Sequence, residues 1–289
     1  MAGPAPRASL VIPAHDESAV LGDLLRELAR ADPGELETVV VCNGCTDDTA
    51  RVAATFPGVT VVEVAEASKI AALRAGDATA TVLPRVYLDA DVGITLDALR
   101  AVVAALRAGA PSAAPVPTFD TRGCGVASRA YFAVFSRLGY ARHHVLGSGV
   151  YGLSAAGRAR FGTFPPVVAD DGFVYSLFAE HERVNPPGAT FRVRPPRTLR
   201  ALYRRRVRIV VGNRQLAARG STLRPPAPSW RQVVRAEPRL VAAGAVYAAV
   251  NAAAVLRARR LLRAGSVGGW NRDDTSRAPA PALRGGRPA

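Results

Sequence analysis

Apolar residues in the first hundred positions follow two alternating rhythms. Four apolar-rich runs of strand length occur: Leu10-Val11-Ile12-Pro13, Thr38 to Cys42, Val59 to Val64, and Arg85 to Asp89 with Val86-Tyr87-Leu88 inside it. Between them, apolar side chains recur at helical spacing, as at Val20, Leu21, Leu24, Leu25 and Leu28. Pro33-Gly34 and Asn43-Gly44 punctuate the runs. Helix N-caps are expected at Thr46 or Asp47, opening a helix to about Thr55, at Ser68, and at Thr95 before a helix over Leu96 to Ala108. Strands alternating with helices of this length predict an α/β fold, with a mostly parallel sheet joined by right-handed crossovers.

Beyond Pro111 the pattern blurs until Pro117. A helix is expected over Ala127 to Leu138, a strand over Gly147 to Leu153, and a helix over Asp170 to Glu182. A strand over Thr190 to Arg194 and a basic helix over Thr198 to about Ala218 follow. The organisation read from this pattern is a catalytic domain over 1–218, a linker and C-terminal amphipathic or packed helix over 219–274, and a disordered tail over 275–289 rich in Pro, Gly and Ala.

Charge separates the chain into two parts. Residues 1–100 hold 8 Lys/Arg against 15 Asp/Glu, and the remaining 189 hold 30 against 8. An acidic first third suits a metal, and a basic remainder suits phosphates or an anionic surface. No helix-turn-helix, zinc-finger or aromatic RNA-binding signature accompanies the basic charge, so nucleic acid is not expected as a partner. Three cysteines, an odd and low count, fit a reducing compartment. Met1 to Arg7 lacks the apolar core of a signal peptide. The expected location is therefore cytoplasmic, including the inner face of the cell membrane.

Asp89-Ala90-Asp91 ends the fourth apolar run. Ligands of open α/β sheets bind beyond the carboxyl ends of strands. Two carboxylates crowded there suit Mg²⁺ or Mn²⁺, which take oxygen ligands and share them with substrate phosphates. Asp pairs also cap helices and fill turns. His15-Asp16-Glu17 after the first strand offers carboxylates to a base or ribose, or caps the next helix. Cys42-Asn43-Gly44-Cys45 has the spacing of a redox or zinc pair; a zinc reading needs two more ligands, and a plain turn presenting the Asn43 amide competes with both. Lys69 is the only lysine against 37 arginines. Asp170-Asp171 opens a helix with one carboxylate available as a base. Arg192 to Arg214 holds nine arginines and no acid, with Arg204 and Arg208 on one helix face and Arg205 beside Arg208.

Leu240 to Leu256 is a 17-residue run without charge, but it is alanine-rich and flanked by arginines. A membrane span takes roughly 20 strongly apolar residues. An interfacial helix or a packed soluble helix is expected instead.

Taken together, these stations resemble the family 2 glycosyltransferases, from residue 8 to about 217. Val11 to Ser18 looks like their opening strand and nucleotide-binding acids. Cys42 to Thr49 is similar to their Asp-Asp/Asn-Gly-Ser-Thr-Asp-x-Thr signature, with Cys42 in place of the first acid. Lys69, Ala71, Ala72, Leu73 and Gly76 match their Gly-Lys-x-x-Ala-Leu-Asn-x-Gly stretch, Asp89 and Asp91 their D-x-D, and Asp170-Asp171 their Glu-Asp pair. Arg204 to Asn213 resembles their basic diphosphate-facing helix. No Gln-x-x-Arg-Trp follows, which argues against a processive synthase.

The resemblance implies the A-type nucleotide-sugar transferase fold and an inverting, non-processive transfer from a nucleotide diphosphate sugar to a hydroxyl acceptor, with lipid-linked and cell-envelope glycan acceptors among those it allows. Asp89 and Asp91 would hold Mg²⁺ or Mn²⁺, and Asp171 would be the base. Pro13, His15, Asp16, Glu17, Asn43, Lys69, Asp89, Ala90, Arg204 and Arg208 would line the donor site. Two other readings are a sugar-phosphate nucleotidyltransferase, which needs a Gly-rich loop where Ala14-His15-Asp16-Glu17 stands, and a non-catalytic basic membrane- or nucleic-acid-binding module.

Overall fold

The computed structural model describes residues 7–142, 146–220 and 228–264. Strands β1 (Ala8–Ala14), β2 (Leu36–Asn43), β3 (Val59–Val64) and β4 (Arg85–Leu88) pair in parallel in the order β3-β2-β1-β4. Helices α1 (Ser18–Leu28), α2 (Thr49–Ala54) and α3 (Lys69–Thr79) connect them. β1, β4 and the second half of β2 are buried on both faces, which explains their apolar character, whereas the edge strand β3 is only partly buried and carries Thr60 and Glu63. Leu10 and Ile12 pack toward α1 and toward α4 (Leu96–Arg107), whereas Val11, Val39 and Val41 pack toward α3. Ser68 and Thr95 cap α3 and α4 through the backbone N–H groups of Ala71 and Ala98, as their spacing predicts.

Three further strands complete a seven-stranded sheet: β8 (Val150–Leu153) beside β4, then β6 (Ser112–Ala113) and β9 (Arg183–Val184). Only β8 runs against its neighbours, so the sheet is mostly parallel, as expected. A second sheet joins β5 (Gly93–Ile94), β10 (Thr190–Val193) and β7 (Val116–Phe119). The blurred stretch after Pro111 thus contains two strands, too short for any periodicity to register.

The helix expected over Asp170 to Glu182 stops early. Helix α7 covers Asp170–Ser176, and a single 3-10 turn, Glu180–Glu182, follows. Phe178 is buried between them, and the Glu182 carboxylate accepts the Ala179 N–H at 2.9 Å, which turns the chain. Helix α5 is Val126–Phe135 and α6 is Ala155–Arg158. The basic helix α8 is Leu199–Ala218, capped by Thr198.

Downstream, α9 (Trp230–Ala236) leads into α10 (Val241–Arg263), which runs well past Leu256. Arginine is a good helix former, and its charge suits a helix C-terminus. Tyr247 and Val250 of α10 pack on Tyr131 and Phe132 of α5, while Ala254 and Ala258 pack on Val207 and Val211 of α8. Helix α10 is therefore packed on one side. By length and composition alone it could cross a membrane, since Pro238–Arg263 is long and apolar enough. Most of the Arg219–Ser229 linker and the whole 275–289 tail lie outside the described residues.

Candidate active site

The site sits at the carboxyl ends of β1, β2 and β4. Asp89 follows β4, and its backbone N–H donates to the Gly149 carbonyl at 2.8 Å. The Asp171 carboxylate, from the first turn of α7, accepts the Ser148 N–H at 3.1 Å and the Gly172 N–H at 2.8 Å. One turn, Gly147-Ser148-Gly149, thus holds two acids 82 positions apart. Its three residues have φ of 108°, 60° and 107°, a left-handed run that glycines tolerate and that strains Ser148. A Cβ at Gly147 would stand 2.7 Å from Asp171 Cβ, and one at Gly149 would stand 2.9 Å from Val92, so both positions are also closed by contact.

Lys69, the first residue of α3, binds Asp89 Oδ1 at 2.7 Å and Asp170 Oδ1 at 3.1 Å. Burial opposes its charge, but the carboxylates of Asp170 and Asp89 outweigh that and hold the ammonium above its usual pKa. Burial alone would push Asp89 up; Lys69, then Arg208 and Arg205, reverse this and keep it below the usual range. Asp170 is buried, and burial with the neighbouring acids raises it despite Lys69. Its Oδ2 is a buried atom without a hydrogen-bond partner, as is the Tyr151 hydroxyl. Asp171 is half-buried, less enclosed than Asp170.

Arg205 and Arg208 are the α8 cations that act on Asp89. Arg204 and Arg208 are both exposed and Arg205 is half-buried, and Arg205 joins Arg208 in acting on Asp89. Arg205 and Arg208 lie at i, i+3, and Val207 and Val211 turn the adjoining stripe toward α10. Arg205 was legible in the sequence beside Arg208, but spacing alone did not choose between it and Arg204.

At the ends of β1 and β2 the two loops are laced together. Asp16 Oδ1 accepts the Thr46 and Asp47 N–H groups at 2.6 and 3.3 Å, and Asp47 Oδ2 accepts the Ser18 N–H at 3.1 Å. Burial would raise the Asp16 carboxyl, but the Thr46 N–H and nearby His15 hold it below its usual range. Asp16 itself adopts φ of 48°. It caps the turn opposite, not the helix that follows it. Glu17 is buried at the N-cap of α1, with its N–H on Thr49 Oγ1 at 2.7 Å. His15 and Asp16 are accordingly the more accessible members of that trio. Asn43 is fully buried; its Nδ2 donates to the Ala14 carbonyl at 2.8 Å, and its Oδ1 is a buried atom without a partner. Pro13 and Ala90 are buried framework residues.

Asp91 lies two residues past Asp89 and lines a cavity of about 370 Å³ with Asp23, Thr118, Thr190, Arg192 and Arg194. A larger cavity of about 720 Å³, beside Glu35 and Arg100, lies at the opposite, amino ends of β1 and β2, away from these carboxylates. The donor set of Asp89 and Asp91 is hard oxygen only. With Asp89 kept ionised, it fits Mg²⁺ or Mn²⁺ that completes its shell from a diphosphate.

A family model described as glycosyl transferase family 2 matches residues 9–155, just over half of the chain. Among solved structures, the chain is similar to the mannosyltransferase PcManGT from Pyrobaculum calidifontis in complex with GDP-Man and Mn²⁺, with 24% identity, 91% of this chain and 80% of that one covered, and a TM-score of 0.58. It is also similar to S. aureus TarS 1-349 in complex with UDP, at 14% identity, 93% and 94% coverage, and a TM-score of 0.51. A mycobacterial protein shares 20% identity over 75% and 76% of the two chains, with a TM-score of 0.51. At these identities the likeness is one of fold. No curated protein matches the chain. The site at the strand ends, the shared fold and the family match agree, and the chain belongs to glycosyl transferase family 2.

Proposed function

We propose that this glycosyltransferase moves a sugar from a nucleotide diphosphate donor to a hydroxyl acceptor with inversion at the anomeric carbon. The observation that carries the reading is the Gly147–Gly149 turn, which fixes Asp89 and Asp171 in one site. Asp89 and Asp91 would hold Mg²⁺ or Mn²⁺, which supplies positive charge to the donor diphosphate when bound. His15 and Asp16 lie at the end of the sheet where base and ribose would rest, and the buried Asn43 holds His15 through its backbone carbonyl.

In the transfer, the acceptor oxygen forms its bond to the anomeric carbon as the bond from that carbon to the diphosphate oxygen breaks. Asp171 takes the acceptor proton, and the electron pair leaves with the nucleoside diphosphate. Lys69, Arg205 and Arg208 supply fixed positive charge beside the leaving group, and such preorganised charge is the larger part of many rate enhancements. Asp170 acts through Lys69 as a positioning residue.

The acceptor in this reading is presented at an anionic membrane surface. Val241 and Leu256 on the outer face of α10 are exposed, and no charge intervenes between them. Arg257, Arg259, Arg260 and Arg263 follow directly. A lipid-linked or cell-envelope acceptor fits such a face.

The test is a panel of nucleotide sugars screened by thermal shift with and without Mn²⁺, followed by transfer with the stabilising donor. The expected result is metal-dependent stabilisation by one donor class and a product of inverted anomeric configuration by NMR. Retention of configuration, or stabilisation by no nucleotide sugar, overturns the reading.

A further inference from the structure

The sequence offered no companion ligands for the Cys42–Cys45 pair; the fold brings two to Cys45 and leaves the buried Cys42 outside the group. His15, Asp16 and Cys45 each bring one ligand atom into a group whose members all lie within 4.8 Å of one another. We propose that this trio is a second metal site, separate from Asp89 and Asp91, and that it takes Zn²⁺.

Two features of the geometry support this. First, His15 Nδ1 lies 2.6 Å from the Asn43 carbonyl oxygen. A carbonyl only accepts, so Nδ1 carries a proton, and in the neutral imidazole Nε2 is then the nitrogen with the lone pair. Metal-bound histidines are held in this way, with the far ring nitrogen donating to a carbonyl or carboxylate. Nε2 in turn lies 3.9 Å from Asp16 Oδ2. Second, Asp16 Oδ1 is engaged by the Thr46 and Asp47 N–H groups, which orients the carboxylate so that Oδ2 faces the histidine.

The donor set decides the ion. One imidazole nitrogen, one carboxylate oxygen and one sulfur suit Zn²⁺, whereas Mg²⁺ and Mn²⁺ favour oxygen alone. Zinc bonds of about 2.0–2.3 Å place tetrahedral ligands roughly 3.3–3.8 Å apart, so the trio must close by about 1 Å. Burial holds the Cys45 thiol protonated, and a coordinating thiol loses its proton to the metal, so binding releases one proton to solvent. Three protein ligands leave a fourth position for water.

The consequence for donor binding rests on the function proposed above. His15 and Asp16 lie where base and ribose would sit, so Zn²⁺ and the donor nucleotide would exclude each other. The site would make the transferase sensitive to zinc, independently of its Mg²⁺ or Mn²⁺.

Co²⁺ serves as the spectroscopic probe, added to the full-length protein in excess Mg²⁺. The expected result is a thiolate-to-cobalt charge-transfer absorption that saturates at one equivalent and is displaced by Zn²⁺. In Cys45→Ser the affinity for Co²⁺ should fall by about tenfold or more, at least the scale seen when a metal site loses an outer partner. Circular dichroism confirms that this variant folds, and Cys124→Ser controls for a distant thiol. No absorption in the wild type, or the same absorption in Cys45→Ser, overturns the site. UDP and GDP are then tested as competitors of Co²⁺. If the cobalt spectrum is present but neither nucleotide displaces it, the metal site stands and the placement of the donor base beside His15 falls.

Discussion

Lys69 Nζ lies 2.7 Å from Asp89 Oδ1, and the same nitrogen reaches Asp170 Oδ1 at 3.1 Å. A single ammonium therefore offsets two carboxylates at the centre of the site. Of the two carboxylates only Asp170 is buried, so losing Lys69 leaves one buried charge uncompensated, and the about 3–5 kcal/mol of a fully buried pair is an upper bound here. Lys69→Met should destabilise the fold by less than that. Adding Asp170→Asn should recover part of the loss, because one of the two stranded acids is then neutral. Urea denaturation of the two single variants and the double variant measures the coupling. Additive effects would mean that the pair does not interact energetically.

Asp171→Asn should lower turnover by roughly 10²–10⁴, the usual contribution of a positioned base. Donor affinity should change little, since Asp171 is placed against the acceptor. The check is kcat and donor Kd on the same preparation. Weaker donor binding with unchanged turnover would move Asp171 to the donor side.

Asp91→Asn should abolish metal-dependent stabilisation by the donor while leaving the melting temperature of the free protein nearly unchanged. Asp91 sits in a loop at a cavity edge. Thermal shift with donor, with and without Mn²⁺, reads both effects. Full turnover without added cation would refute the metal role.

A fourth expectation concerns acid stability. Arg100 hydrogen-bonds Glu35 through two nitrogens at 2.8 Å, and this pairing holds the Glu35 carboxyl down at about 2, from 4.5. A depressed carboxyl stabilises the fold above its unfolded pKa and loses that contribution as pH falls toward the folded value. Between about pH 4.5 and 2 the wild type should therefore lose stability more steeply than Glu35→Gln. Melting temperatures across that window give the slopes, and parallel slopes would show that the pair carries no linkage.

At the membrane, full-length protein should sediment with anionic vesicles at low salt and release at high salt, because surface attraction is screened over about 10 Å at 0.1 M. Leu256→Asp, on the exposed face of α10, should weaken sedimentation without disturbing the buried face. Failure of the intact protein to bind any vesicle would remove the support for a membrane-presented acceptor.

Much of this was legible in the sequence because it depended on local pattern. The runs at β1, β2 and β4 read clearly because their buried stretches are apolar, the edge strand β3 reads by its β-branched valines, and Ser68 and Thr95 mark their helices by capping chemistry. The family signature survives in order even where Cys42 departs from it. What the sequence hid depends on long-range contact. Strands of two residues, such as β5 and β6, have no period to detect. The end of α7 is set by the burial of Phe178, and the choice of Arg205 over Arg204 by which stripe of α8 meets α10. The convergence of His15 with Cys45 needs β1 and β2 to be neighbours in register, since Ala14 pairs with Cys42.

Helix α8 has one stripe against the carboxylates, through Arg205 and Arg208, and another against Ala254 and Ala258 of α10. It therefore joins the charge acting on Asp89 to the packing of α10, so a substitution that shifts α10 on α8 should also change the field at Asp89. If α10 meets a surface as proposed, docking and donor grip would share this one helix.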